Sequence, residues 1–174
     1  ASSWDISEDG LSYDFCLRED VFFHEHSAFG DKKTRKVTAE DFVYSFNRII
    51  DKKVASPGAW IFNGRVDANE PFTAVNDSVL RIKLNAPFPP FLGILSMQYC
   101  SVVPKEVIGL YDESFRKNPV GTGPFKFKVW EEDQKMILMR NEHYFEKDSN
   151  GISLPYLDAV KISFIHIFYV VFIH

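Results

Sequence analysis

The sequence is short of the features that announce chemistry. Among 174 residues there are two cysteines. Neither Cys16 nor Cys100 falls in a C-x-x-C pair or a zinc-ligand spacing, so a redox dithiol and a cysteine-built zinc site have no sequence support. G-x-S-x-G and H-E-x-x-H are both missing, and no serine or cysteine stands beside a plausible base, which leans against hydrolytic enzymes. The N-terminus has neither the basic start nor the apolar segment of an export signal. Ala1-Ser2-Ser3 reads equally as a cloning remnant or as native linker. Basic residues number 20 against 24 acidic, for a net charge of −4. A general nucleic-acid partner would want a basic surface to neutralise phosphates, so it is not expected. Internal repeats and low-complexity tracts are also absent.

What is present is aromatic and apolar. Seventeen phenylalanines, 16% aromatic and 45% hydrophobic residues are enough to build a packed core rather than a disordered chain. The length suits one domain or a little more, at about 100–200 residues per domain.

The organising stretch runs from Leu11 to Ile50. Leu11, Tyr13, Phe15 and Leu17 alternate with Ser12, Asp14, Cys16 and Arg18, the period of two that a half-buried strand requires. Cys16 falls on the polar face. Gly30 to Lys36 then forms a basic loop, expected to be solvated. Thr38 with Asp41 three residues on is an N-cap pair, and Glu40 and Asp41 suit the positive end of a helix. Phe42, Val43, Phe46, Ile49 and Ile50 recur at three and four residues, which predicts a helix over Ala39 to Ile50 packed on the strand.

Around that unit, Trp4 to Ile6 reads as a short strand turning at Gly10. Phe72 to Val75 and Val79 to Leu84 flank Asn76-Asp77-Ser78 as a hairpin, with Leu80, Ile82 and Leu84 on one face. Phe91 to Met97 follows Pro90 as a short helix. Val102-Val103 reads as a short buried strand and Pro104 to Tyr111 as a helix. Phe125 to Trp130 and Met136 to Met139 are paired strands, and Asp158 to Ile165 is another. From Ile162 to His174 the sequence carries no charged or turn residue after Ser163. It is too short to cross a bilayer as a helix, which takes about 20 residues. The expectation is that Ile162 to Ile165 continues the strand inside its sheet. His166 to His174, arising artificially or from an altered reading frame, would add to a sheet edge or cover apolar surface.

Several ordered pieces resemble one family. They are Leu17-Arg18-Glu19-Asp20-Val21, Phe23-His24 and Thr38 to Arg48, followed by Ala55-Ser56-Pro57, Leu84 to Leu92 and Val102 to Lys105. Pro119 to Phe125, Arg140-Asn141, Tyr144-Phe145 and Leu154 to Asp158 complete the run. Their order is similar to that of the extracellular solute-binding proteins of peptide-type ABC importers, family 5, from Trp4 to Ile165. Here the loop after the histidine, His26 to Val37, is longer than the family's. The resemblance implies an α+β fragment of a two-lobed, periplasmic-binding-protein-like fold. Residues 1–118 would form the small mixed α/β domain, and residues 119–174 the partial return into the first lobe, with an atypical apolar tail from about 166. It further implies a non-enzymatic, exported protein, periplasmic or at the cell surface, whose signal and second lobe lie outside this stretch. Its partners would be a peptide or similar small solute and ABC permease subunits, with no cofactor. A sensory or structural module on the same scaffold and a peptidase are the competing classes.

Three candidate sites follow. His24-Glu25-His26 sets two imidazoles on one side of an extended chain, but a metal needs a third ligand and Glu25 points away, so no metal is expected; His24 fits a family position without a metal role. Trp60 and Phe62 follow the Ser56-Pro57-Gly58 turn, where aromatics can line a ligand cleft, with core packing the competing reading of Trp60. The family often has an aromatic residue where this chain has Gly58. Gly121-Thr122-Gly123-Pro124 lacks the Gly-Lys-Ser/Thr ending of a phosphate loop. It reads as a tight turn allowing two backbones to approach, placed by the resemblance on the hinge side of the cleft.

Overall fold

The computed structural model describes residues 1–165; the expectations for His166–His174 lie outside them. In chain order the elements are β1 (Ser3–Ile6), β2 (Ser12–Cys16), α1 (Ala39–Ile50), β3 (Phe72–Asn76), β4 (Val79–Lys83), α2 (Phe91–Leu95), α3 (Lys105–Tyr111), β5 (Phe125–Glu131), β6 (Lys135–Arg140) and β7 (Ala159–Ser163). They form two antiparallel sheets, ordered β1-β2-β4-β3 and β5-β6-β7.

The first sheet obeys the alternation in β2. Tyr13 lies opposite Ile82 and Phe15 opposite Leu80, so one face is apolar. The other carries Asp14 opposite Arg81, joined at 2.6 and 2.7 Å. Leu80, Ile82 and Leu84 are all buried, as the hairpin pattern requires. Helix α1 packs on this face and occupies the bounds its periodicity predicts. Its start is pinned twice: the Asp41 carboxylate accepts from the Thr38 N–H at 2.9 Å, and the Ala39 N–H donates to Asp77 O in the hairpin turn at 2.9 Å. These bonds occupy donors that a helix N-terminus otherwise leaves orphaned.

Aromatic rings fill the space between sheet and helix. Phe46 of α1 lies 5.0 Å from Phe62 and 5.3 Å from Phe72, and Phe62 lies 4.9 Å from Phe72, in the tilted and edge-to-face geometries that ring quadrupoles favour. Cys100 is buried in the same core, and burial pushes its thiol up to about 11. Cys16 is exposed, and both cysteines are free. A second, smaller core gathers Phe23, Val37, Val107 and Val120, with Phe42 of α1 touching both cores.

Three expectations change. Val102-Val103 is half-buried and joins no ladder. Its backbone is served instead by Ser45 of α1, whose hydroxyl accepts from Val103 N–H at 3.0 Å and donates to Val103 O at 3.3 Å. A serine thus replaces a neighbouring strand. The basic loop is not wholly solvated either. Arg35 reaches inward to Asp41 at 2.7 and 2.8 Å and to Glu106 of α3 at 2.7 and 2.8 Å, and stacks near Phe23 and Phe29. Finally, the strand holds Ile162 and Ser163 but stops there: β7 pairs with β6 alone among the described residues, Phe164 adds one bond to Gln134 O at 3.0 Å, and Ile165 is 82% exposed.

Candidate functional site

The turn Gly121–Pro124 is held from both sides, by His24 in the segment that follows β2 and by Asn141 just after β6. Its position follows from the pairing of 21–23 with 35–37: Phe23 N–H donates to Arg35 O and Val37 N–H to Val21 O, each at 3.0 Å. That pairing, covered by Val107 of α3 and by Val120, presents His24 to the turn. The His24 N–H donates to Gly121 O at 2.8 Å. Its imidazole Nε2 lies 2.9 Å from Gly123 O, and Nδ1 lies 3.4 Å from Gly121 N. From the other side, buried Asn141 donates its side-chain amide to Gly123 O at 3.0 Å and its backbone N–H to Pro124 O at 2.9 Å.

The backbone approach expected at this turn is therefore present, but the glycines are not what permits it. A Cβ added at Gly121 or Gly123 would meet nothing within 4 Å, and neither residue has positive φ. The contact runs through carbonyl and amide groups, which any residue possesses. Thr122 borders a groove of about 410 Å³ shared with Leu17, Arg18, Val21, Phe42 and Phe145, with the Arg18 guanidinium 4.8 Å from the Phe145 ring centroid.

The aromatic pair divides. Phe62 is fully buried at the centre of the first core, whereas Trp60 is 45% exposed beneath the Arg65 guanidinium at 5.7 Å. The two share no surface, and neither lines the groove at Thr122. Gly58 is demanded by its surroundings, because an added Cβ would stand 2.6 Å from the Tyr99 Cβ. Tyr99 thus fills the space a side chain at position 58 would take.

His26 is occupied locally. Its Nδ1 accepts from Ala28 N–H at 3.1 Å and Nε2 lies 3.3 Å from the Tyr111 hydroxyl. Among the described residues no group of three or more His, Cys, Asp or Glu side chains is placed to hold a metal. His24 and Asn141 are the site residues that sequence reasoning missed as a pair. Both stood in the ordered motifs, but nothing local tied them to a turn 97–99 and 18 residues away.

The architecture is the mixed α+β one of periplasmic binding proteins: the chain superposes on the Helicobacter pylori ABC transporter-associated periplasmic binding protein DppA, solved in complex with the peptide STSA. The TM-score is 0.76 and the identity 35%, over 95% of this chain and 33% of that one. The chain belongs to the bacterial extracellular solute-binding proteins, family 5 Middle, whose model matches residues 1–167. It is 31% identical over 159 residues to the dipeptide-binding protein of Escherichia coli K12 and 34% identical over 158 residues to heme-binding protein A of Haemophilus influenzae, which covers 83% and 84% of this chain. Campylobacter jejuni NikZ, solved with Ni(L-His), matches at TM-score 0.74 and 31% identity, over 95% of this chain and 30% of that one. The chain spans only 29% and 28% of the two curated relatives' own lengths.

Proposed function

We propose that this chain is part of a solute-binding component of an ABC importer, which captures a peptide or similar small solute outside the cytoplasmic membrane and delivers it to permease subunits. The observation that carries the reading is the family match across residues 1–167; the run of relatives named for di- and tripeptides favours peptide as the solute class. The role is capture and release, not turnover. Main-chain hydrogen bonding to an extended ligand gives affinity without sequence choice, which suits such a role, and closure of two lobes about a hinge signals that the site is filled.

Within this reading, residues 1–118 form the small α/β domain and residues 119 onward the return into the first lobe. The turn Gly121–Pro124 is the hinge-side joint, a reading supported by its clamping between His24 and Asn141. Trp60 is the member of the aromatic pair with surface to offer a solute. This chain alone binds solute weakly or not at all. The deciding experiment is extraction of ligand from the full-length protein, identified by mass spectrometry and checked by calorimetry on this chain and on the whole. Peptide released from the whole, with little heat from the chain alone, is the expected result. A heme or metal chelate in its place would replace the solute class, and turnover of a peptide library would overturn the capture reading.

A further inference from the structure

His24 is held in one chemical state by what surrounds it. Gly123 O can only accept, so Nε2 must carry the proton; Gly121 N–H can only donate, so Nδ1 must be bare. His24 is 7% exposed, and its two ring nitrogens are bonded to Gly121 and Gly123 of one short turn. The neutral Nε2–H tautomer is the form that makes both bonds. A proton arriving at Nδ1 would set N–H against N–H at Gly121 and place a cation in a nearly closed site.

From this geometry we infer that His24 is a proton-operated clasp: neutral, its ring accepts the Gly121 amide and donates to Gly123 O, and protonated, it gives up the Gly121 amide and loosens that end of the turn while leaving both sheets intact. The charges around it do not offset a cation. Lys126 and Lys128 of β5 border one side and Arg116 the other, with Glu25 and His26 beside it in the chain. Glu25, the acid among them, is drawn at 4.0 Å to Lys126 and at 3.8 Å to His143, and Arg116 is paired with Glu132. Burial, reinforced by Lys126 and opposed by the Gly123 carbonyl, lowers the affinity of His24 for a proton. Between that lowered value and about 6.5 the open form binds the proton and the closed form does not, so closure weakens as pH falls through this window. Protonation leaves the His24 N–H on Gly121 O, Nε2–H on Gly123 O, and Asn141 on Gly123 O and Pro124 O, so the joint loosens at the Gly121 amide alone. The inference concerns the joint itself and holds whichever solute is captured.

The test is amide exchange on this chain between pH 7.5 and 5, corrected for intrinsic rates, with the ring-nitrogen shifts of His24 followed alongside. The Gly121 amide reports directly, because the His24 ring is its acceptor. Its protection should fall by up to about tenfold per pH unit below about 6.5, while ladder amides of β2 and β4 keep theirs. Ring shifts at pH 7.5 should show bare Nδ1 and protonated Nε2. In His24→Gln the pH dependence at Gly121 should vanish. Constant Gly121 protection, parallel loss in the β2–β4 ladder, the opposite tautomer, or an unchanged profile in His24→Gln would each overturn the clasp. Should His24→Gln fail to fold, the titration of the unaltered chain against its ladder control decides alone.

Discussion

The two sheets differ in what holds them. In the first, Tyr13, Phe72, Leu80 and Ile82 are buried against α1 and a cluster of rings. In the second, no residue of β5, β6 or β7 is buried. Ile162 and Met139 stand 42% and 37% exposed, and the indole N–H of Trp130 and Nε of Arg140 are enclosed with no hydrogen-bond partner among the described residues. One sheet is a core with a ladder attached; the other is a ladder half covered. Hydrogen bonds contribute only about 1 kcal/mol each after exchange with water, so the side lacking apolar burial should open first.

The sharpest way to break the contrast is to cut a cavity in each half. Phe46→Ala removes the ring that Phe42, Phe62 and Phe72 all contact and should cost about 3–5 kcal/mol. Phe127→Ala, from half-buried β5, should cost about 1–2 kcal/mol. Denaturant unfolding followed by circular dichroism measures both. Equal losses would mean that the second sheet shares the core of the first, and an unchanged Phe46→Ala would mean that α1 does not face it.

Next in size is the charge network between α1 and α3. Arg35→Ala strands Asp41, whose side chain is 4% exposed, and should cost about 2–3 kcal/mol, less than a fully buried pair because Arg35 and Glu106 are 27% and 30% exposed. The Arg35 guanidinium holds the Glu106 carboxyl below its ordinary value near 4.5. A carboxylate so shifted stabilises the fold above that ordinary value, and the contribution fades as pH falls through the lowered one. Stability against pH should therefore lose an acid-limb component in Arg35→Ala; an identical acid limb in both proteins would show that the pair does not govern it.

How much of this was legible follows the range of each interaction. Helix α1 could be read to the residue, since its stripe and its Thr38–Asp41 cap are local. The hairpin of β3 and β4 was equally plain from alternation around Asn76-Asp77-Ser78. Arg35 was not, because a cation in a run of lysines looks solvated until Glu106, 71 residues on, is folded beside it. Val102-Val103 has the composition of a strand, and no period reveals that Ser45 will serve its backbone. Of the candidate sites, Trp60 and Phe62 shared a turn signal, yet a single 3-10 turn over Ala59–Ile61 sends one ring out and the other into the core.

The smallest effects are expected at Gly121 and Gly123, and set beside Gly58 they separate two reasons for having a glycine. Gly58→Ala drives a Cβ to 2.6 Å from Tyr99; Tyr99 must shift at its own Cβ, which is not the free end of a side chain, and the cost should be about 1–3 kcal/mol. Gly121→Ala and Gly123→Ala meet open space at ordinary φ. In this chain they should fall within about 0.5 kcal/mol of the parent or be slightly stabilising, because alanine narrows the unfolded ensemble. Thermal melts of the three variants test the order. A loss at Gly121 or Gly123 comparable to that at Gly58 would show that the turn is sterically crowded after all. The same two substitutions then sharpen the hinge-side proposal in the full-length protein. If they leave this chain unaltered but weaken solute capture there, the space a Cβ would occupy is used only when the rest of the protein closes over it. If capture too is unaltered, the turn is a structural joint and nothing more.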